Sequence, residues 1–447
     1  MMVLAEGFVE MMRGLGAEMS AVVDALQAGV NVSPAIRLNL AKGGVAPCGA
    51  SAVPWCYGGY YLGSRPDFTH DPALHQGRYY VQDASSMAHS AAVAAAVAAV
   101  GADTPLRYLD ACAAPGGKTL AAVDALPDDA FVLANEYDRH RCNILIENVA
   151  KWGCGNVAVC RGDASALRVP DGFFDIIAVD APCSGEGMMA KEEVAVTQWS
   201  PALVEQCAAL QRRIVEHLWD ALAPGGCLIY STCTFNLAEN EEVIAYAREE
   251  LGAEVLPIDT LERPEIVGAI GGYDFAAYRF LPGRVNGHGQ FIALLRKDGT
   301  GGHCAVRTRS NRPSRPAIDI SRYLDGDYTA VERDAIYAVR ADNAPILEAL
   351  KGVDIVCPGI EAGCLKGKDF IPAQALALAV DLRADAFECC AIDTPTAVEY
   401  LKRQPLGTLS APRGIVLLTH EGLPLGFVKN LGNRANNLYP AQWRILH

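Results

Sequence analysis

Apolar residues recur at helical spacing from the start of the chain (Met2, Leu4, Phe8, Met11, Met12, Leu15, Met19, Val22, Val23, Leu26), which predicts a helix or helix pair with one face in a core. Residues 33–39 read as the start of a strand, 55–63 are rich in aromatics and glycine, and Ala84-Ser85-Ser86 opens a helix leading into the alanine-rich run at 91–100. From residue 106 to about 296 the pattern changes. Short apolar runs alternate with helical stretches, which predicts a parallel sheet covered by helices, an α/β fold. Five predicted strands end at Asp110, at Asn135-Glu136, near Asp163, at Asp180 and at Ser231-Thr232-Cys233. Ligands of open α/β sheets sit outside the carboxyl ends of the strands, so four carboxylates (Asp110, Glu136, Asp163, Asp180) and a thiol are expected to face one cleft. Asp298-Gly299-Thr300-Gly301-Gly302, followed by Arg307, Arg309, Arg312 and Arg315, reads as a flexible basic linker suited to RNA phosphates or simply to solvent. Beyond residue 319 globular patterning returns, with a helix expected at 373–380 and paired strands at 414–418 and 425–429.

Composition narrows the class without naming the chemistry. The 447 residues allow two or three domains, and 51% hydrophobic content supports a sizeable core. The longest apolar run falls well short of the roughly 20 residues that span a bilayer, and no basic-then-apolar leader pattern opens the chain, so a cytoplasmic protein without membrane contact is expected. The 15 cysteines are scattered through apolar segments without paired C-x-x-C spacing, which predicts reduced, mostly buried thiols and no metal. A net charge of −14 argues mildly against nonspecific coating of nucleic acid.

The candidate chemistry lies at the strand ends. Asp110-Ala111-Cys112-Ala113-Ala114-Pro115-Gly116-Gly117-Lys118-Thr119 joins the first predicted strand to a helix, where a ligand meets exposed backbone amides. It has neither the G-x-G-x-x-G of a dinucleotide site nor the full spacing of a phosphate-binding loop, which argues against ATP. Glu136 follows Gly116 by twenty positions, about the offset at which an acidic residue meets ribose hydroxyls. An adenosine without pyrophosphate fits both facts, so S-adenosylmethionine is the expected cofactor, with Asp163 toward the adenine edge. After the fourth strand comes Asp180-Ala181-Pro182-Cys183-Ser184-Gly185-Glu186-Gly187. Carbon 5 of cytosine becomes nucleophilic only after a thiolate adds to carbon 6, so a Pro-Cys turn beside an adenosine pocket points to that chemistry. Cys233, in Thr232-Cys233-Thr234, is a second thiol in the same cleft, and these residue types alone do not rank the two.

Together these three motifs, in this order, resemble those of the Sun-type RNA 5-methylcytosine methyltransferases from about residue 33 to 297. The resemblance implies a Rossmann-like class I S-adenosylmethionine-dependent methyltransferase core, Cys233 as the nucleophile, Cys183 as the thiol assisting elimination, and Asp180 at both cofactor and cytosine. It implies a cofactor pocket made by Cys112, Ala113, Ala114, Pro115, Gly116, Gly117, Lys118, Glu136, Asp163 and Asp180. Arg141, in Arg141-x6-Asn148, matches a family position and is carried as an RNA-contact candidate. The tail at 432–444 resembles the RsmF branch, whose C-terminal part is a PUA-like RNA-binding module; there Lys429, Arg434, Tyr439 and Trp443 offer cations and rings for phosphate contact and base stacking. The expected organisation is an N-terminal α+β extension at 1–95, a catalytic domain at 96–297, the linker at 298–318 and a C-terminal α+β region at 319–447. The expected partner is RNA, small-subunit ribosomal RNA or the assembled subunit, bound by a monomer. A transfer-RNA methyltransferase and a noncatalytic RNA-binding assembly factor are the alternative readings.

Overall fold

Alternation of side chains along each strand explains why the centre of this chain is a sheet buried on both faces. The computed structural model describes residues 3–101, 104–300, 302–304, 306 and 318–446. Its nine-stranded sheet contains β1 (Arg107–Asp110), β2 (Phe131–Glu136), β3 (Val157–Arg161), β4 (Phe174–Asp180), β5 (Leu222–Thr232), β6 (Glu254–Leu256), β7 (Tyr278–Phe280), β8 (Gln290–Arg296) and β9 (Asp354–Cys357). Tyr108, Val132, Val159, Ile176 and Ile229 enter one core, while Leu109, Leu133, Ala158, Ile177 and Leu228 enter the other, as a strand period of two requires.

The strand order is β6-β8-β5-β4-β1-β2-β3-β9, with β7 paired to β8. The five strands expected from sequence are parallel, and the order reverses between β1 and β4, which opens a crevice at their carboxyl ends. The sheet as a whole is mixed, because β8 pairs antiparallel with β5 and β9 antiparallel with β3. That β9 comes from beyond residue 319 could not be read locally, since an edge strand is defined by its partner.

Helices cover both faces, and their ends follow from local chemistry. The α1 helix (Ala88–Val100) runs through the expected boundary at 95/96, so extension and catalytic core share one element. Gly116, at φ 114°, turns the chain into α2 (Gly117–Ala125). Asp138 caps α3 (Arg139–Trp152) by accepting from Arg141 N, and Ser200 caps α4 (Pro201–Ala221) by accepting from Leu203 N. Next comes α5 (Glu241–Leu251).

The expected N-terminal helix pair is present, at Glu6–Gly14 and Ala17–Ala28. Its apolar face packs on Met189, Trp199, Val204, Phe235 and Leu281, beneath the loops that follow β4 and β5. A small sheet that includes Ala35–Leu38 docks behind α2 and α3 through buried Arg37, which pairs with Asp124, donates to Gln82 at 3.1 Å and lies over the Trp152 ring. Two four-stranded sheets fill the C-terminal region; the second includes Gly414–His420 paired antiparallel with Leu423–Asn430, as expected. Gln76 ties this second sheet to the N-terminal extension, its Nε2 donating to His420 O and Leu423 O, both at 2.9 Å. Arg307, Arg309, Arg312 and Arg315 of the expected linker lie outside the described residues. All fifteen cysteines are free thiols, although only six are fully buried.

Candidate active site

At the carboxyl ends of β1, β2 and β3 lies a cavity of about 360 Å³ whose lining includes Cys112, Glu136, Arg141, Asp163, Pro182 and Ile214. The loop after β1 forms one wall and is held at its carbonyls. Arg141 donates to Ala114 O at 2.6 Å and Asn148 to Pro115 O at 2.8 Å, both from α3, while Ala113 N donates to Asn135 O at 2.8 Å. Glu136 is buried, accepts from Asp138 N at 2.9 Å and lies 3.6 Å from Arg141. Asp163 is exposed at the rim and accepts from Ser165 through Oδ1. Carboxylates at two edges and apolar walls from Leu210, Ile214 and Pro182 suit a nucleoside. Arg141, the cation in this lining, is engaged by Ala114 and Glu136.

Arg141 thus supports the wall of the cavity, with its side chain still 55% exposed. Asp110 departs from expectation. It is 1% exposed, sits behind the cavity and accepts from Thr119 Oγ1 at 2.7 Å. Burial pushes its carboxyl up to about 7.

The turn after β4 leads from Pro182 in the lining of this cavity to the thiols. Asp180 accepts from Lys118 Nζ at 2.9 Å and from Ser231 Oγ at 2.8 Å. Burial opposes the Lys118 charge, but the Asp180 carboxylate outweighs it and holds the ammonium above its ordinary range. The Cys183 and Cys233 sulfurs are 3.3 Å apart. Their contact separates their titrations: the hydrogen bond between them lowers Cys233 against burial and the nearby Asp180 charge, helped by Lys118. Cys183 is pushed well up by the same hydrogen bond and by burial. Lys118 favours the Cys233 anion, while Asp180 and Glu239 oppose it. Of the two, Cys233 is the more easily ionised, which is the property a sulfur nucleophile needs.

Sequence reasoning missed what holds these sulfurs together. Glu239 is fully buried and accepts from Ser184 N at 2.9 Å, Ser184 Oγ at 2.5 Å, Gln211 Nε2 at 2.8 Å and Asn236 Nδ2 at 2.8 Å. Glu186, equally buried, accepts from Phe235 N at 2.6 Å, Asn236 N at 3.0 Å, Asn236 Nδ2 at 2.9 Å and Trp199 Nε1 at 3.1 Å. The signal was the polar run Thr234-Phe235-Asn236-Leu237-Ala238-Glu239-Asn240 directly after the second thiol, more polar than a covering helix requires.

Among the C-terminal candidates the structure separates exposed cations from buried rings. Arg434 is exposed and Lys429 half exposed, 3.9 Å from Asp369. Tyr439 cannot stack on a base. It is 1% exposed, edge-on to Tyr400 and Trp443, with its hydroxyl 3.4 Å from His75. Trp443 is half buried, its ring 5.6 Å from Lys151 Nζ of α3. Both rings pack the C-terminal sheet and its contact with the core.

Residues 98–296 match the family described as 16S rRNA methyltransferase RsmB/F. Residues 387–445 match the methyltransferase RsmF PUA domain, and 4–84 the N-terminal domain of 16S rRNA methyltransferase RsmF. Ribosomal RNA small subunit methyltransferase F of Salmonella agona (strain SL483) is 32% identical, over 89% of this chain and 86% of the relative. The same-named protein of Cronobacter sakazakii (strain ATCC BAA-894) is 31% identical, over 98% of this chain and 96% of its own length. A solved methyltransferase homolog protein from Pyrococcus horikoshii is 26% identical with a TM-score of 0.51, covering 66% of this chain and 100% of that one.

Proposed function

The chain belongs to the RsmF family of 16S rRNA methyltransferases, and from this premise we propose that it methylates carbon 5 of a cytosine in small-subunit ribosomal RNA through a covalent adduct with Cys233. The observation that carries the reading is the pair of sulfurs 3.3 Å apart, with Cys233 lowered by its hydrogen bond to Cys183, next to Pro182 of a cavity that suits a nucleoside. An N-methyltransferase or O-methyltransferase has no chemical need of a thiolate; cytosine carbon 5 does.

The cavity residues fit S-adenosylmethionine. Glu136 and Asp163 would accept from its ribose hydroxyls and adenine edge, between the apolar walls of Leu210, Ile214 and Pro182. When bound, it supplies a methyl group on a positively charged sulfur. The chain's own residues do the rest. Lys118 favours the Cys233 thiolate and fixes Asp180, which would hydrogen-bond the polar edge of the cytosine. Cys233 adds to carbon 6, which loads electron density onto carbon 5. After transfer, the carbon 5 proton passes to water, its electron pair restores the C5=C6 bond, and Cys233 departs as thiolate. Cys183, 3.3 Å away in the free protein, then donates to the departing anion. The base must be unpaired or flipped to reach so recessed a pair.

The test uses Cys183→Ala protein, S-adenosylmethionine and small subunits or their RNA, followed by denaturing gels and sequencing of attached RNA. A protein–RNA adduct that disappears when Cys233 is also replaced is expected. Methylation by Cys233→Ala protein would overturn the assignment.

A further inference from the structure

Two carboxylates, each saturated by donors, lie wholly buried between the thiol-bearing loops, and the reaction as described uses neither. Their placement is reciprocal. Glu186 belongs to the Cys183 loop and accepts from two backbone N–H groups of the Cys233 loop, those of Phe235 and Asn236. Glu239 follows the Cys233 loop and accepts from the backbone N–H and hydroxyl of Ser184, the neighbour of Cys183. Asn236 Nδ2 bridges the two carboxylates and reaches Thr234 Oγ1 at 2.8 Å as well. Burial raises the Glu239 carboxyl against these donors. Burying an anion is unfavourable unless its acceptors are filled, so a pair of anions kept here is a feature of high geometric consequence.

We propose that Glu239 and Glu186 are positioning residues that clamp the two thiol loops together and hold the sulfurs in contact, so that release of the covalent adduct, more than its formation, depends on them. This rests on the covalent reading above. Cys233 has supports independent of the clamp: it directly follows β5, Asn240 accepts from Thr232 Oγ1 at 2.6 Å and donates to Thr234 O at 3.0 Å, and the Lys118 charge acts on it. Cys183 has fewer. Its turn is tied down by Ser184 on Glu239, by Pro182 O accepting from Gln211 at 2.9 Å, and by Gly187 N on Cys233 O at 2.7 Å; Gln211 is itself held by Glu239. Loss of the Glu239 acceptors therefore frees Cys183 first. In release the C6–S bond breaks with its pair moving to sulfur, while the carbon 5 proton goes to water and its pair restores C5=C6. The S–H of Cys183 stabilises that departing anion only while the sulfurs stay near 3.3 Å.

The experiment compares wild type, Glu239→Gln, Ser184→Ala and Cys183→Ala with small-subunit RNA and S-adenosylmethionine, reading kcat, KM and adduct on denaturing gels. Glutamine presents an NH₂ to groups that need acceptors; Ser184→Ala removes one donor and leaves the fold's backbone bonds intact. For Glu239→Gln a fall in kcat of about 100-fold at unchanged KM is expected, the scale of a 1 Å misplacement, with adduct accumulating as in Cys183→Ala. Ser184→Ala should show the same pattern more weakly, and it carries the test if Glu239→Gln does not fold. Loss of methylation in step with RNA or cofactor binding, without adduct, would overturn the proposal in favour of a purely structural role, as would wild-type turnover by both variants. If Cys183→Ala traps nothing while wild type methylates, the covalent assignment itself fails, an outcome distinct from failure of the clamp alone.

Discussion

Adding one methyl group at Gly187 should separate the effect of sulfur placement from that of stability. Gly187 N donates to Cys233 O at 2.7 Å, and a Cβ built there would lie 2.7 Å from the same oxygen and 3.0 Å from His288 O. Both obstacles are main chain, so no side chain can swing aside. Cβ contacts below 3.0 Å do not occur and those below 3.4 Å are uncommon. The Cys233 segment must therefore move by about 0.3 to 0.7 Å, and at roughly 100-fold per ångström this lowers kcat on the order of 4- to 25-fold. Overpacking should also remove about 1–3 kcal/mol of stability. The assay is methyl transfer from S-adenosylmethionine to small-subunit RNA, beside thermal unfolding. Gly252→Ala is the control: Gly252 ends α5 at φ 69° with no atom within 4 Å of its Cβ position, so alanine strains the backbone by about 1–2 kcal/mol without touching either thiol. A Gly187→Ala enzyme with wild-type kcat, or a Gly252→Ala enzyme with an equal loss, would refute the reasoning.

Further outcomes follow from other groups in the structure. In Lys118→Met, Cys233 loses the cation that helps lower it, so the acid limb of the pH–rate profile, where activity falls as the thiolate is protonated, should move to higher pH. Asp110, held up to about 7 by burial, keeps its proton in the folded state where the unfolded chain has lost it, so its contribution to stability falls as pH rises from about 4 to about 7. Unfolding of Asp110→Asn across that window should lack this decline, which is at most about 1.4 kcal/mol per pH unit. Tyr439→Ala should cost about 3–5 kcal/mol of stability, as other buried aromatic truncations do, whereas Arg434→Ala should leave unfolding unchanged and make RNA binding weaker and less salt-dependent.

Much of the catalytic core was legible because its signals are local. A strand two residues in period and a turn with glycine at positive φ are written in neighbouring side chains, so β1 to β5 and the loop at Gly116 emerged where expected. The carboxylates Glu136 and Asp163 were found by their position at strand ends, because the sheet's topology gathers those ends whatever the sequence between them. Asp110 misled for the same reason: the end of a strand points to the crevice in general, but Thr119, nine positions on, turns this carboxylate into the support of the helix start. Tyr439 misled because an aromatic beside cations reads alike in a binding face and in a core.

By itself the sequence determined the α/β class, the order of the motifs, the carboxylates at the rim of the cavity and the presence of two thiols after neighbouring strands. Those properties depend on steric period and residue chemistry, which are fixed within a few positions. Only the tertiary structure decided that the thiols touch, since they stand fifty positions apart on different strand ends and meet through the pairing of β4 with β5. It alone decided that Cys233 is the more easily ionised sulfur, because its contacts with Cys183 and Lys118 come from other elements, and that Glu186 and Glu239 bind each other's loops. Electrostatic contacts act through distance in space, and distance in space is set by the packing of the whole sheet rather than by any segment of it.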